Sequence, residues 1–89
     1  MTNDRFKNID PKMFKWLDIT SQSEPWMSVE DALDMKPAVM LSVGWIVKET
    51  DEFITIASTL DMEEELVGDV NCIPRKTIME IIPIRLVNV

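Results

Sequence analysis

Few side chains in this sequence are equipped for chemistry, and their types narrow the options quickly. The chain has no histidine, which removes imidazole acid–base catalysis and most zinc sites. Its one cysteine, Cys72, would lack the usual base, and two glycines in all cannot build a phosphate-cradling loop. Cys72 lies on an apolar stretch and reads as a small buried hydrophobe. Asp61, Glu63, Glu64 and Glu65 concentrate negative charge, but they lack the alternating oxygen ligands and central glycine of an EF-hand loop. They read as a solvated acidic connection. Arg75 and Lys76 form the only adjacent basic pair. At a turn they could hold phosphate, with arginine able to stack or bind bidentately; read alone, they are a solvated turn. The expectation is a protein that is not an enzyme, with no cofactor and no metal.

The bulk properties fit a small binding or assembly domain. Eighty-nine residues make one domain, and a chain this short buries only about 60% of its unfolded surface. Self-association is a natural way to bury more. The net charge of −7 lowers the prior for nucleic-acid and anionic-membrane binding, both of which favour basic surfaces. No run of about 18 apolar residues suggests a membrane span. The opening residues lack the apolar core of a signal peptide, and a lone cysteine favours a reducing compartment. The expected location is the cytoplasm.

These side chains must be positioned by short strands. Val39, Leu41, Val43, Trp45 and Val47 alternate with more polar residues, the period of a half-buried strand. Phe53 to Ala57 forms a second arm, and Glu49-Thr50-Asp51-Glu52 between them has the polarity of a hairpin connection without a glycine. Residues 1–12 read as an N-terminal arm on which Phe6 and Ile9 could dock. Lys15 to Thr20 is taken as a strand, with a single helical turn after Pro11 as the competing reading. Ser28 can cap a short helix over 28–36, with Glu30 and Asp31 at its positive end and Pro37 as its stop. A helix so short must pack on something. Val67 to Ile73 makes another strand, in which Val70 and Cys72 share a face, and Pro74 to Thr77 breaks it. From Ile78 onward the chain is apolar on both faces, and Pro83 confines it to an edge strand or marks a break between two short ones. An apolar edge invites pairing with another subunit. The expected interface residues are Val70, Cys72, Ile81, Ile82, Ile84 and Leu86.

Close-spaced short strands of this kind indicate a small antiparallel barrel. Two strings within it are similar to the motifs of the Sm/LSm family. Asp51-Glu52-Phe53-Ile54-Thr55, preceded by Gly44, resembles the first Sm motif. Gly68 ahead of Val70, with Ile73-Pro74-Arg75-Lys76-Thr77-Ile78, resembles the second. Thr55 stands where the family has a base-facing asparagine, and Pro74-Arg75 where it has Arg-Gly. The helix before the hairpin resembles the one that precedes the family's barrel. Among its members, the chain looks most like the small Sm-like proteins attributed to cyanophages in marine metagenomes, which would place it in a host cytoplasm. The resemblance implies a mainly β fold over 1–89: a strongly bent, five-stranded, Sm-like or SH3-like barrel over 38–89 with one packed helix. It also implies a homo-oligomeric ring binding single-stranded RNA, or less readily DNA. Phe53 would then stack on a base, Thr55 would bond a base edge, and Arg75 and Lys76 would meet phosphate. Subunits in a ring would gather these cations around a pore despite the acidic total. The alternative is a protein-interaction or assembly module that uses the same barrel without nucleic acid.

Overall fold

A computed structural model describes residues 10–85 of the chain. The elements in order are β1 (Lys12–Asp18), α1 (Val29–Leu33), β2 (Ala38–Glu49), β3 (Phe53–Asp61), β4 (Leu66–Pro74), a 3-10 turn (Arg75–Thr77) and β5 (Ile78–Pro83). The strands form one antiparallel sheet in the order β4-β3-β2-β1-β5. The sheet does not close on itself, so β4 and β5 are its two edges. Among the described residues no helix is long and apolar enough to cross a membrane.

β2 organises the sheet because it changes partners along its length. Ala38 to Gly44 pair with β1, whereas Trp45 to Glu49 pair with β3. The handover falls at Gly44, which is buried. A Cβ there would lie 2.7 Å from the Ala57 carbonyl oxygen; only glycine lets the two backbones approach so closely. A register shift between Ile46 and Lys48 marks a bulge at Val47, which adds twist just beyond the handover.

Phe14, Ile54, Ile56, Ala57 and Ile73 are buried, and Trp16, Ile46, Ile78 and Ile81 pack around the four large ones. The Trp16 indole N–H donates to the Ser42 hydroxyl at 3.1 Å, giving its polar tip a partner. The alternating stripe on β2 faces the other way. Residues directly opposite in an antiparallel ladder share a face, and Phe14 and Trp16 lie opposite Ser42 and Met40. Val39, Leu41 and Val43 therefore point outward, with Leu41 64% exposed. The period-two pattern identified the strand, while the bulky aromatics of β1 determine which side of it is inside.

The first strand starts three residues earlier than expected, at Lys12, and ends at Asp18, whose carboxylate accepts the Ile19 N–H at 2.8 Å. The helix is shorter than its expected 28–36 span and is not packed. Ser28 caps it as expected, accepting the Asp31 N–H at 3.1 Å. However, none of its residues is buried, and Val29 and Leu33 are 76% and 80% exposed. The reason is topological: residues 19–37 leave the sheet between β1 and β2 as an excursion. Its feet are tied together by the Thr20 hydroxyl donating to the Lys36 carbonyl at 2.8 Å. The expected docking of Phe6 and Ile9, and the interface role of Leu86, fall outside the described residues.

Candidate nucleic-acid interface

The β2–β3 connection makes its turn without glycine by using a threonine. The Thr50 N–H donates to the Phe53 carbonyl at 2.9 Å, and the Thr50 hydroxyl accepts the N–H groups of Glu52 and Phe53, each at 3.1 Å. A side chain thus takes the place of the backbone partners that a tighter turn would use. The 3-10 turn is stitched onto this hairpin end. The Arg75 N–H donates to the Glu52 carbonyl at 2.8 Å, and its Nε donates to the Thr50 carbonyl at 2.8 Å. Its Nη2 pairs with the Glu49 carboxylate.

Arg75 therefore holds two loops together instead of pointing freely at a ligand. Its side chain is 38% exposed and that of Glu49 is 47%, so the ion pair is largely screened and the bond to Thr50 carries more of the effect. Arg75→Ala is expected to cost only about 1 kcal/mol globally. The Glu52 and Phe53 amides should nonetheless exchange about fivefold faster, a change that residue-resolved hydrogen exchange would detect.

The predicted base-binding residues share one face beside this clamp. Thr55 lies opposite Lys48 on one side and Cys72 on the other, and Phe53 lies opposite Pro74. The Lys48 ammonium sits 5.6 Å from the centre of the Phe53 ring, within cation–π range. Lys48 did not stand out in the sequence; the bulge at Val47 sets the register that carries it over Phe53. Lys76 is exposed, with no ion pair among the described residues. This end of the sheet thus offers a half-buried aromatic, a hydroxyl and two lysines. Opposing them nearby are Glu49, Asp51 and Glu52.

The other predicted residues separate. Val70 and Cys72 are exposed on edge strand β4, and Ile82 is exposed on edge strand β5. Ile81 turns inward opposite Phe14, and Ile84 is half-buried just past β5. Cys72 is not the buried hydrophobe its neighbours suggested, because it lies on an edge strand with its side chain exposed. The acidic connection is a capped turn: the Asp61 carboxylate accepts the N–H groups of Glu63 and Glu64 at 3.1 and 3.0 Å. Among the described residues no acidic or thiol cluster is placed to hold a metal.

No family model, curated protein or solved structure matches the chain.

Proposed function

We propose that this chain is a non-catalytic, Sm-like, self-assembling β-domain. Its copies join edge to edge into a homo-oligomeric ring, and the rim of the ring binds single-stranded nucleic acid, RNA in preference to DNA. The observation that carries the assembly is the pair of open apolar edges. β4 exposes Val67 and Val70, β5 exposes Met79 and Ile82, and the two strands stand at opposite ends of the sheet order. An unpaired apolar edge recruits another strand. Two different edges meeting head to tail generate a ring when the rotation closes. Edge pairing would also satisfy both open edges by joining the sheets of successive copies into one continuous sheet.

The nucleic-acid reading rests on Phe53 with Lys48 and Lys76. Base–aromatic stacking contributes roughly 1–3 kcal/mol per base and tolerates any sequence, and the lysines supply phosphate contacts. The second reading, an assembly module without nucleic acid, is favoured by the engagement of Arg75 with Glu49 and by the acids beside it.

Two measurements test these readings. Light scattering on the purified protein should give a multiple of the chain mass, and the double variant Val70→Lys/Ile82→Lys should fall to smaller species. Fluorescence anisotropy with labelled single-stranded RNA and DNA across a salt series should show binding that weakens with salt. Lys48→Ala/Lys76→Ala should weaken it about tenfold or more, and Phe53→Ala similarly. Absence of binding at low salt would leave the assembly module standing alone.

A further inference from the structure

A second exposed apolar surface lies on the 19–37 excursion between β1 and β2. At its base is an open notch of about 330 Å³, lined by Ile19, Thr20, Met35, Lys36 and Pro37. Apart from the threonine hydroxyl and the lysine, its walls are apolar, and Ile19 is among the most exposed large apolar residues described. On the same excursion Trp26 is 88% exposed, just ahead of the capped turn that begins α1. An indole this bare is available as an interface anchor, because tryptophan is enriched among the hot-spot residues that fill pockets on a partner. Trp26 and the notch therefore form a projecting apolar anchor and a receptor for it within one 19-residue stretch.

We propose that the excursion is a self-complementary dimerisation arm. The Trp26 ring of each copy enters the Ile19–Met35–Pro37 notch of the other, and Lys36 at the notch faces the acids that flank the incoming tryptophan. Charge and symmetry both favour a second copy as the occupant. The notch carries one charge, Lys36, which has no ion pair among the described residues. The segment around Trp26 carries Glu24, Glu30 and Asp31 and no basic residue. Because anchor and receptor lie on the same excursion, two copies related by a two-fold axis would satisfy both at once, the usual geometry of a dimer. Val29 and Leu33, exposed on α1, extend the apolar area toward the roughly 800 Å² per partner of a stable interface. Burial there would also account for a five-residue helix that buries none of its residues among those described. This surface shares no residue with the ring edges, so the ring would bind its twin, or the free chain would dimerise, through the arms.

Analytical ultracentrifugation of the full chain over a concentration series tests the proposal. Trp26→Ala should halve the mass of the assembly and raise the dissociation constant of that step at least about 30-fold, the size of a strong aromatic hot spot. Lys36→Glu should weaken the same step, and Glu24→Lys combined with Lys36→Glu should restore part of it. Val70→Lys/Ile82→Lys should leave the arm-mediated dimer intact, which separates this contact from the ring edges. Trp26 touches little in its own chain, so circular dichroism should show Trp26→Ala folded. A folded Trp26→Ala protein with unchanged mass would overturn the proposal, as would a wild-type chain that stays monomeric at high concentration. If Trp26→Ala fails to fold, Lys36→Glu decides the matter instead: unchanged mass and affinity would refute the arm.

Discussion

Phe14→Ala should abolish cooperative folding near physiological temperature. Phe14 is fully buried and contributes the largest side chain to a cluster whose other buried members are Ile54, Ile56 and Ile73. Opposite Ile81 on β5 and Ser42 on β2, it ties the β1–β5 side of the sheet to the β3–β4 side. Truncating a buried phenylalanine to alanine costs about 3–5 kcal/mol, the transfer term plus the cavity left behind. A chain of 89 residues has roughly 4–13 kcal/mol in all, and this core is small for its length. The substitution therefore removes much or all of the margin. Urea unfolding followed by circular dichroism, at one fixed protein concentration because association adds to apparent stability, should show the midpoint lost or greatly lowered. Leu41→Ala is the contrast. It removes an aliphatic side chain from the outer face, where Leu41 is mostly exposed, and should change the stability of the chain by no more than about 0.5 kcal/mol. Equal loss in both variants would mean that the face assignment is inverted.

That contrast also shows where the sequence was readable. The strands themselves were largely legible: the hairpin around Glu49 to Glu52 and the last strand from Ile78 lie where local composition put them, and the break expected at Pro74 to Thr77 falls at Arg75 to Thr77. These features are dictated by neighbours in the chain, through period-two alternation, a missing N–H or a capping hydroxyl. Properties that depend on residues distant in sequence were not legible. Val39, Leu41 and Val43 alternate as a core face should, yet they point outward because Phe14 and Trp16, across β1, settle the inside. Ser28 announced the helix cap but nothing announced that the helix would have no support from its own sheet. Arg75 looked like a free cation, and its partners Glu49 and Thr50 lie 26 and 25 positions away. Phe53 and Thr55 do share a face, as their spacing required. Lys48 joins them only through a bulge that no local pattern announces.

Gly44→Ala should lower stability by about 1–3 kcal/mol, although the same change in an ordinary strand is mildly favourable. Replacing glycine where the backbone conformation suits any residue reduces the freedom of the unfolded chain and typically stabilises by about 0.4–1 kcal/mol. Gly44 has no positive φ to protect, so conformation alone predicts a gain. The new methyl, however, would meet the Ala57 carbonyl oxygen at 2.7 Å and its carbon at 3.0 Å. These atoms belong to the backbone of β3, and Ala57 is itself fully buried, so neither can swing aside as a flexible side chain could. Relief requires β3 to shift away from β2 at the handover, which loosens the Trp45–Ala57 and Ile46–Ile56 pairs and with them the seating of Ile56 in the core. Gly68 is the internal control. A Cβ there meets only the Thr59 side chain at 3.4 Å, an ordinary contact, so Gly68→Ala should raise stability by about 0.4–1 kcal/mol. At roughly 4–8 °C per kcal/mol for a domain of this size, thermal melts of the two variants at equal concentration should move in opposite directions. If Gly44→Ala melts at or above the wild type, the close approach of β2 and β3 at the handover is not real. The partner switch that turns a hairpin into a five-stranded sheet would then not depend on this one missing side chain.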